Sequence, residues 1–67
     1  MNREEVRNEY GQPVGWLDKY ESGNIVARNK FGKIIGKYTK NDNYTRDVYG
    51  RPIAKGNILS ALIWREQ

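Results

Sequence analysis

An all-β domain is the fold class that this sequence predicts: an antiparallel meander of three repeated β-hairpins, followed by a short C-terminal helix or strand. Three observations predict it. A five-residue pattern of Arg, Asn or Asp, any residue, aromatic and Gly occurs at Arg7-Asn8-Glu9-Tyr10-Gly11, Arg28-Asn29-Lys30-Phe31-Gly32 and Arg46-Asp47-Val48-Tyr49-Gly50. The similarity runs on through Gln12-Pro13-Val14-Gly15-Trp16, Lys33-Ile34-Ile35-Gly36-Lys37 and Arg51-Pro52-Ile53-Ala54-Lys55, so ten positions align in three copies. Between the copies, Glu21-Ser22-Gly23-Asn24 and Lys40-Asn41-Asp42-Asn43 have the composition of tight turns.

Each copy reads as one hairpin. Asn or Asp at the first turn position and Gly at the fourth suit a type I turn with the glycine in the left-handed conformation of a G1 bulge. The side chain of Asn8, Asn29 or Asp47 is placed to accept a hydrogen bond from the backbone just ahead. The incoming strands are then Glu5 to Arg7, Ile25 to Arg28 and Tyr44 to Arg46, and the outgoing ones Pro13 to Asp18, Lys33 to Thr39 and Arg51 to Lys55. Hairpin repeats of about 5–20, 25–40 and 44–57 therefore make a single domain over 1–67, with an apolar tail at 58–64. Pro13 and Pro52 donate nothing to a ladder and call for an edge, a bulge or an outward amide. Strict alternation puts Val14, Ile35 and Ile53 on one face and Gly15, Gly36 and Ala54 on the other, where small residues permit close approach. Tyr10, Phe31 and Tyr49 are expected in core or rim packing, with a stacking platform for bases as the alternative. In the tail, Asn57 is a candidate N-cap, and Ile58, Leu59, Leu62 and Ile63 share one helical face. A seventh strand fits the same short run.

Composition excludes more chemistry than it suggests. The 67 residues contain no cysteine and no histidine, which removes disulfides, thiolate nucleophiles, imidazole bases and Cys/His zinc sites. Ser22 and Ser60 have no histidine to activate them, and no Ser–Lys motif occurs. The carboxylates sit near the N-terminus and in turns, not in a converging pair, and no P-loop lysine is present. An enzyme is not expected, and no cofactor is implied. The sequence offers no apolar run of bilayer length and no signal-peptide core, so a soluble, cytoplasmic protein without membrane contact is expected. Asn43-Tyr44-Thr45 matches a glycosylation sequon but reads better as a turn entering a strand.

The net charge of +4 is unevenly spread. Residues 1–24 carry three basic and five acidic side chains, residues 25–57 carry eight and two, and the tail sets Arg65 against Glu66. Arg28, Lys33, Lys37, Arg46, Arg51 and Lys55 are the candidate anion or nucleic-acid contacts, with Phe31, Tyr38 and Tyr44 as candidate stacking groups. A solvated strand face that resists edge aggregation is the structural alternative. Arg7, Arg28 and Arg46 occupy one repeat position and either converge on an anion or pair with carboxylates. A domain this small buries a modest core, which makes oligomerisation a common supplement. Leu59, Leu62, Ile63 and Trp64 are the candidate self-association residues. The expected function is a small non-enzymatic interaction or assembly module, a homo-oligomer or the partner of another protein, with weak nucleic-acid or polyanion binding as the alternative.

The aromatic-Gly-polar-x-Val/Ile-Gly unit, alternating with segments such as Ser22-Gly23-Asn24-Ile25-Val26-Ala27, resembles the small bacterial repeat proteins called four-fold β-flower proteins. The resemblance covers Val6 to Leu59 and implies hairpins set around a pseudo-symmetry axis. Three copies instead of four depart from that pattern, and the resemblance implies no site residues.

Overall fold

The computed structural model describes residues 1–65, so the tail's Glu66, set against Arg65 above, lies outside the described residues. Turn chemistry organises the chain. At the first turn, Gly11 N donates to Asn8 O at 3.0 Å and Asn8 N donates to Gln12 O at 3.0 Å, while Asn8 Oδ1 accepts from the amides of Tyr10 and Gln12. Asn29 Oδ1 does the same for Phe31 and Lys33, and Asp47 Oδ1 for Tyr49 and Arg51. The glycine closing each turn has a positive φ, 82° at Gly32, which a side chain would strain. The turn between the first two hairpins repeats this backbone pairing through Tyr20, Gly23 and Asn24. At the next connection, Asn43 takes the left-handed position with φ of 60°, a conformation that asparagine tolerates better than most residues.

These turns join six antiparallel strands in chain order: β1 (Asn2–Arg7), β2 (Pro13–Lys19), β3 (Ile25–Asn29), β4 (Ile34–Thr39), β5 (Tyr44–Arg46) and β6 (Pro52–Lys55). The meander is as the sequence predicts. Simple alternation is not. Val6 faces Gly15 while Arg7 faces Pro13, so Val14 is an extra residue in β2; the same shift makes Ile35 extra in β4 and Ile53 extra in β6. A bulge puts two successive residues on nearly one side. Val14 therefore joins the core on the side where Gly15 meets the helix, and the expectation of opposite faces fails there.

The tail resolves as a helix, α1 (Leu59–Arg65), and no seventh strand forms among the described residues. Asn57 Oδ1 accepts from Leu59 N at 3.0 Å, the cap the sequence predicts. The helix packs across β2, β3 and β4, burying Leu59, Leu62 and Ile63 against Val14, Leu17 and Ala27, with Val6, Ile25, Ile35 and Tyr38 around them. Gly15 lies under Ile63 and Gly36 under Leu62 and Leu59. Ala54, the matching position in β6, lies beyond the strands the helix crosses, which explains why a Cβ is accommodated in the third hairpin only. Thr45, fully buried, ties that hairpin to the helix entry: its Oγ1 donates to Gly56 O at 2.6 Å and accepts from Ile58 N at 3.1 Å.

The aromatic residues of the turns overturn another expectation. Tyr10, Phe31 and Tyr49 are 79%, 83% and 79% exposed, because the position before the turn glycine is the outermost point of the hairpin. Core or rim packing is excluded for them.

Candidate functional site

Strand alternation away from the bulges sorts the charged residues onto the side of the sheet opposite α1. Since Leu17, Ala27, Gly36 and Thr45 turn toward the packed side, Trp16, Asp18, Arg28, Lys37, Tyr44 and Arg46 turn away from it. One cross-strand row on this open side reads Arg3, Asp18, Val26, Lys37, Arg46. Its two halves differ in charge balance.

In the β1–β3 half, Arg3 and Arg28 are both tied to one buried carboxylate. Arg3 Nε donates to Asp18 Oδ1 at 2.6 Å, Arg3 Nη2 to Oδ2 at 3.0 Å, and Arg28 Nε to Oδ2 at 2.9 Å. The hydrogen bond from Arg3, joined by that from Arg28 and by both charges, outweighs burial and holds the Asp18 carboxyl below the usual carboxylate range. Arg28 also donates to Gly32 O at 2.8 Å. Its partner Asp18 is buried, so Arg28 is held in the fold more firmly than Arg46, whose partner Asp42 is exposed to water and can exchange for another anion. The carboxylate that gathers these arginines was not singled out in the sequence, where Asp18 shows no motif.

The β4–β6 half keeps an excess of cations. Lys37 is exposed and stands directly opposite Arg46, and Tyr44 stands directly opposite Lys55 on the same side. Arg46 binds Asp42, whose carboxyl is held low first by the Arg46 hydrogen bond and further by the Arg46 charge. Among the described residues no carboxylate lies within ion-pair distance of Lys37 or Lys55. Lys37, Arg46, Lys55 and Tyr44 are therefore the sequence candidates that the fold brings together.

The other candidates go elsewhere. Lys33, Phe31 and Arg51 lie in the turn row, where Lys30 Nζ sits 5.3 Å from the Phe31 ring centre and the Arg51 guanidinium 5.3 Å from that of Tyr49. Arg51 is also bound to Asp47 at 2.9 Å. Neighbouring turn tips are two strands apart, about 10 Å by ordinary strand spacing. Tyr38 packs against the core on the helix side and donates its hydroxyl to Asn43 Oδ1 at 2.6 Å, which removes it from the stacking set. Leu59, Leu62 and Ile63 are buried within their own chain, because the glycines beneath them let the helix sit close, and they are unavailable to a partner. Trp64 alone of that set is exposed. Arg7, Arg28 and Arg46 do not converge: they pair separately with Glu5, Asp18 and Asp42.

At the far end of the sheet a shallow cleft is lined by Ser22, Asn24, Lys40 and Asn41, with Asn24 Oδ1 already accepting from Lys40 N. No group of three metal-ligating side chains occurs among the described residues, and no helix there is long and apolar enough to cross a membrane. Comparisons with protein-family models, curated proteins and solved structures give no match to this chain.

Proposed function

We propose that the protein is a small non-enzymatic interaction module that assembles with further copies of itself through the β6 end of its sheet. In this reading the three hairpins are copies of one unit, and Val14, Ile35 and Ile53 are the same residue of that unit. The observation that carries it is the fate of this residue: Val14 is 3% exposed and Ile35 packs against the core, whereas Ile53 is 44% exposed. Val14 and Ile35 lie in strands flanked on both sides; Ile53 lies in an edge strand. An added strand from a second copy would satisfy the free backbone groups of β6 and give Ile53 a neighbour. Exposed Ile58, next to buried Thr45, extends the apolar surface available to that copy. The four-fold β-flower resemblance accords with this reading, since α1 follows where a fourth hairpin would stand and another copy supplies the next strand.

Light scattering after size exclusion over a wide concentration range tests the reading. A concentration-dependent dimer or larger species is expected, and Ile53→Asp, which changes an exposed side chain, is expected to yield a folded monomer. Wild-type protein that stays monomeric throughout overturns the assembly reading.

A further inference from the structure

We infer that the open side of β4, β5 and β6 binds single-stranded nucleic acid, with Lys37, Arg46 and Lys55 contacting phosphates and the Tyr44 ring stacking on a base. The inference goes beyond the assembly reading and does not rest on it. Directly opposed like charges weaken a strand pair, and Lys37 opposite Arg46 is such a pair. Asp42 compensates Arg46 alone, so three cations share one carboxylate across these strands. A phosphate between Lys37 and Arg46 converts their repulsion into two charge-assisted contacts.

Tyr44 decides the class of polyanion. It is 37% exposed, lies two residues from Arg46 on the same side of β5, and faces Lys55 across the ladder. Strand spacing puts Lys55 about 8 Å from Arg46, with the tyrosine adjacent to both cationic positions. Cations that track a backbone, interleaved with a ring for base faces, are the elements of sequence-tolerant single-strand binding. A duplex keeps its base faces stacked inside and offers Tyr44 nothing. A phosphate polymer without bases uses only the cations.

Fluorescence anisotropy tests this with a labelled oligothymidylate, the same strand paired with oligoadenylate, and inorganic polyphosphate as competitor. Binding of the single strand is expected at low salt, with affinity falling about 20-fold between 50 and 200 mM salt for three phosphate contacts. Tyr44→Ala is expected to weaken the oligothymidylate about tenfold and leave polyphosphate binding unchanged, while Tyr44→Phe retains it. Lys37→Glu separates binding from folding: it should raise the melting temperature by about 1–5 °C by removing the opposed charges, and still weaken binding at least tenfold. Ile53→Asp should bind as wild type does, so failure of the assembly reading leaves this result intact. No binding at low salt, equal binding of duplex and single strand, or indifference of the oligothymidylate to Tyr44→Ala overturns the inference.

Discussion

A single methyl group added under α1 measures how closely the helix is seated. A Cβ on Gly15 would lie 2.5 Å from the Arg28 carbonyl oxygen and 2.7 Å from Ile63 Cγ2; on Gly36 it would lie 2.8 Å from Leu62 Cδ1 and 3.1 Å from the Arg46 carbonyl oxygen. Neither glycine has a positive φ, so alanine fits the backbone and by itself would stabilise by about 0.4–1 kcal/mol through the unfolded chain. Overpacking opposes this with about 1–3 kcal/mol. At Gly36 the nearest atom ends a flexible side chain that can turn away, so the net cost is about 1 kcal/mol. At Gly15 the nearest atom is backbone in β3, which moves only with its ladder, so the overpacking cost is at the top of its range and the net cost is about 2–2.6 kcal/mol. A chain of this length has a total stability of only about 3–10 kcal/mol. Ala54→Gly, beyond the helix, should lose only about 0.4–1 kcal/mol. Urea unfolding followed by far-ultraviolet circular dichroism should therefore rank Gly15→Ala as most damaging, then Gly36→Ala, then Ala54→Gly. Adding Ile63→Ala should not rescue Gly15→Ala, because the Arg28 carbonyl remains. Wild-type stability in Gly15→Ala would refute the close seating of the helix on β2.

Two further substitutions probe the polar ties. Asp18→Asn should cost about 1–3 kcal/mol at neutral pH, since it weakens the hydrogen bonds from Arg3 and Arg28 and leaves a half-exposed Arg3 that water can still reach. Because the folded Asp18 carboxyl is depressed, its stabilisation is complete above the unfolded value of about 3.9 and is lost as pH falls below that toward the folded value. Urea midpoints across the acid range should fall less steeply in Asp18→Asn than in wild type, and parallel curves would contradict the role given to the pair. Thr45→Val removes one donor and one acceptor at the helix entry and should cost about 1–2 kcal/mol, with Thr45→Ser close to wild type. Hydrogen exchange at Leu62 and Ile63 should quicken in Thr45→Val; unchanged protection would show that α1 is held by packing alone.

Local rules made most of the fold readable. Asn8, Asn29 and Asp47 with their closing glycines specified the turns, because the hydrogen bonds involved reach no further than four residues. Five of the six strands have both ends within one residue of expectation and the Asn57 cap followed from the same short range, whereas β1 begins at Asn2, three residues before the expected Glu5. Alternation failed at Val14 because a bulge is a relation between two strands: Pro13 calls for an edge, a bulge or an outward amide, and only its pairing with Arg7 decides among them. The turn aromatics were misplaced because large rings bury well on average, while their position at the hairpin tip depends on geometry. For the candidate site, the charge asymmetry put the candidate cations in the second and third hairpins, and the fold brings Lys37, Arg46 and Lys55 of that set together. Composition could not divide Lys37 from Arg28: the difference lies in Asp18, ten residues away along the chain and adjacent across β2 and β3.

The third hairpin departs furthest from what folding alone favours, and the helix is the reason. By covering β2, β3 and β4, α1 gives the first two hairpins an apolar lid and leaves the third held by its ladder and by the Thr45 hydrogen bonds. At that end lie an unpaired strand edge, Ile53 in solvent, and Lys37 opposite Arg46. Each is unfavourable in an isolated monomer of this size, whose buried area leaves little stability to spare. The first hairpin shows that the same architecture accommodates the alternatives: Val14 is buried and the Arg3 charge is compensated by Asp18. Both β1 and β6 are edge strands, but only the β6 end combines a free edge with an exposed Ile53 and directly opposed cations, which is why both proposals are placed there. A strand added along the β6 edge and a phosphate on the open side at Lys37 and Arg46, as proposed, would use different surfaces, one the backbone edge and the other the side-chain face.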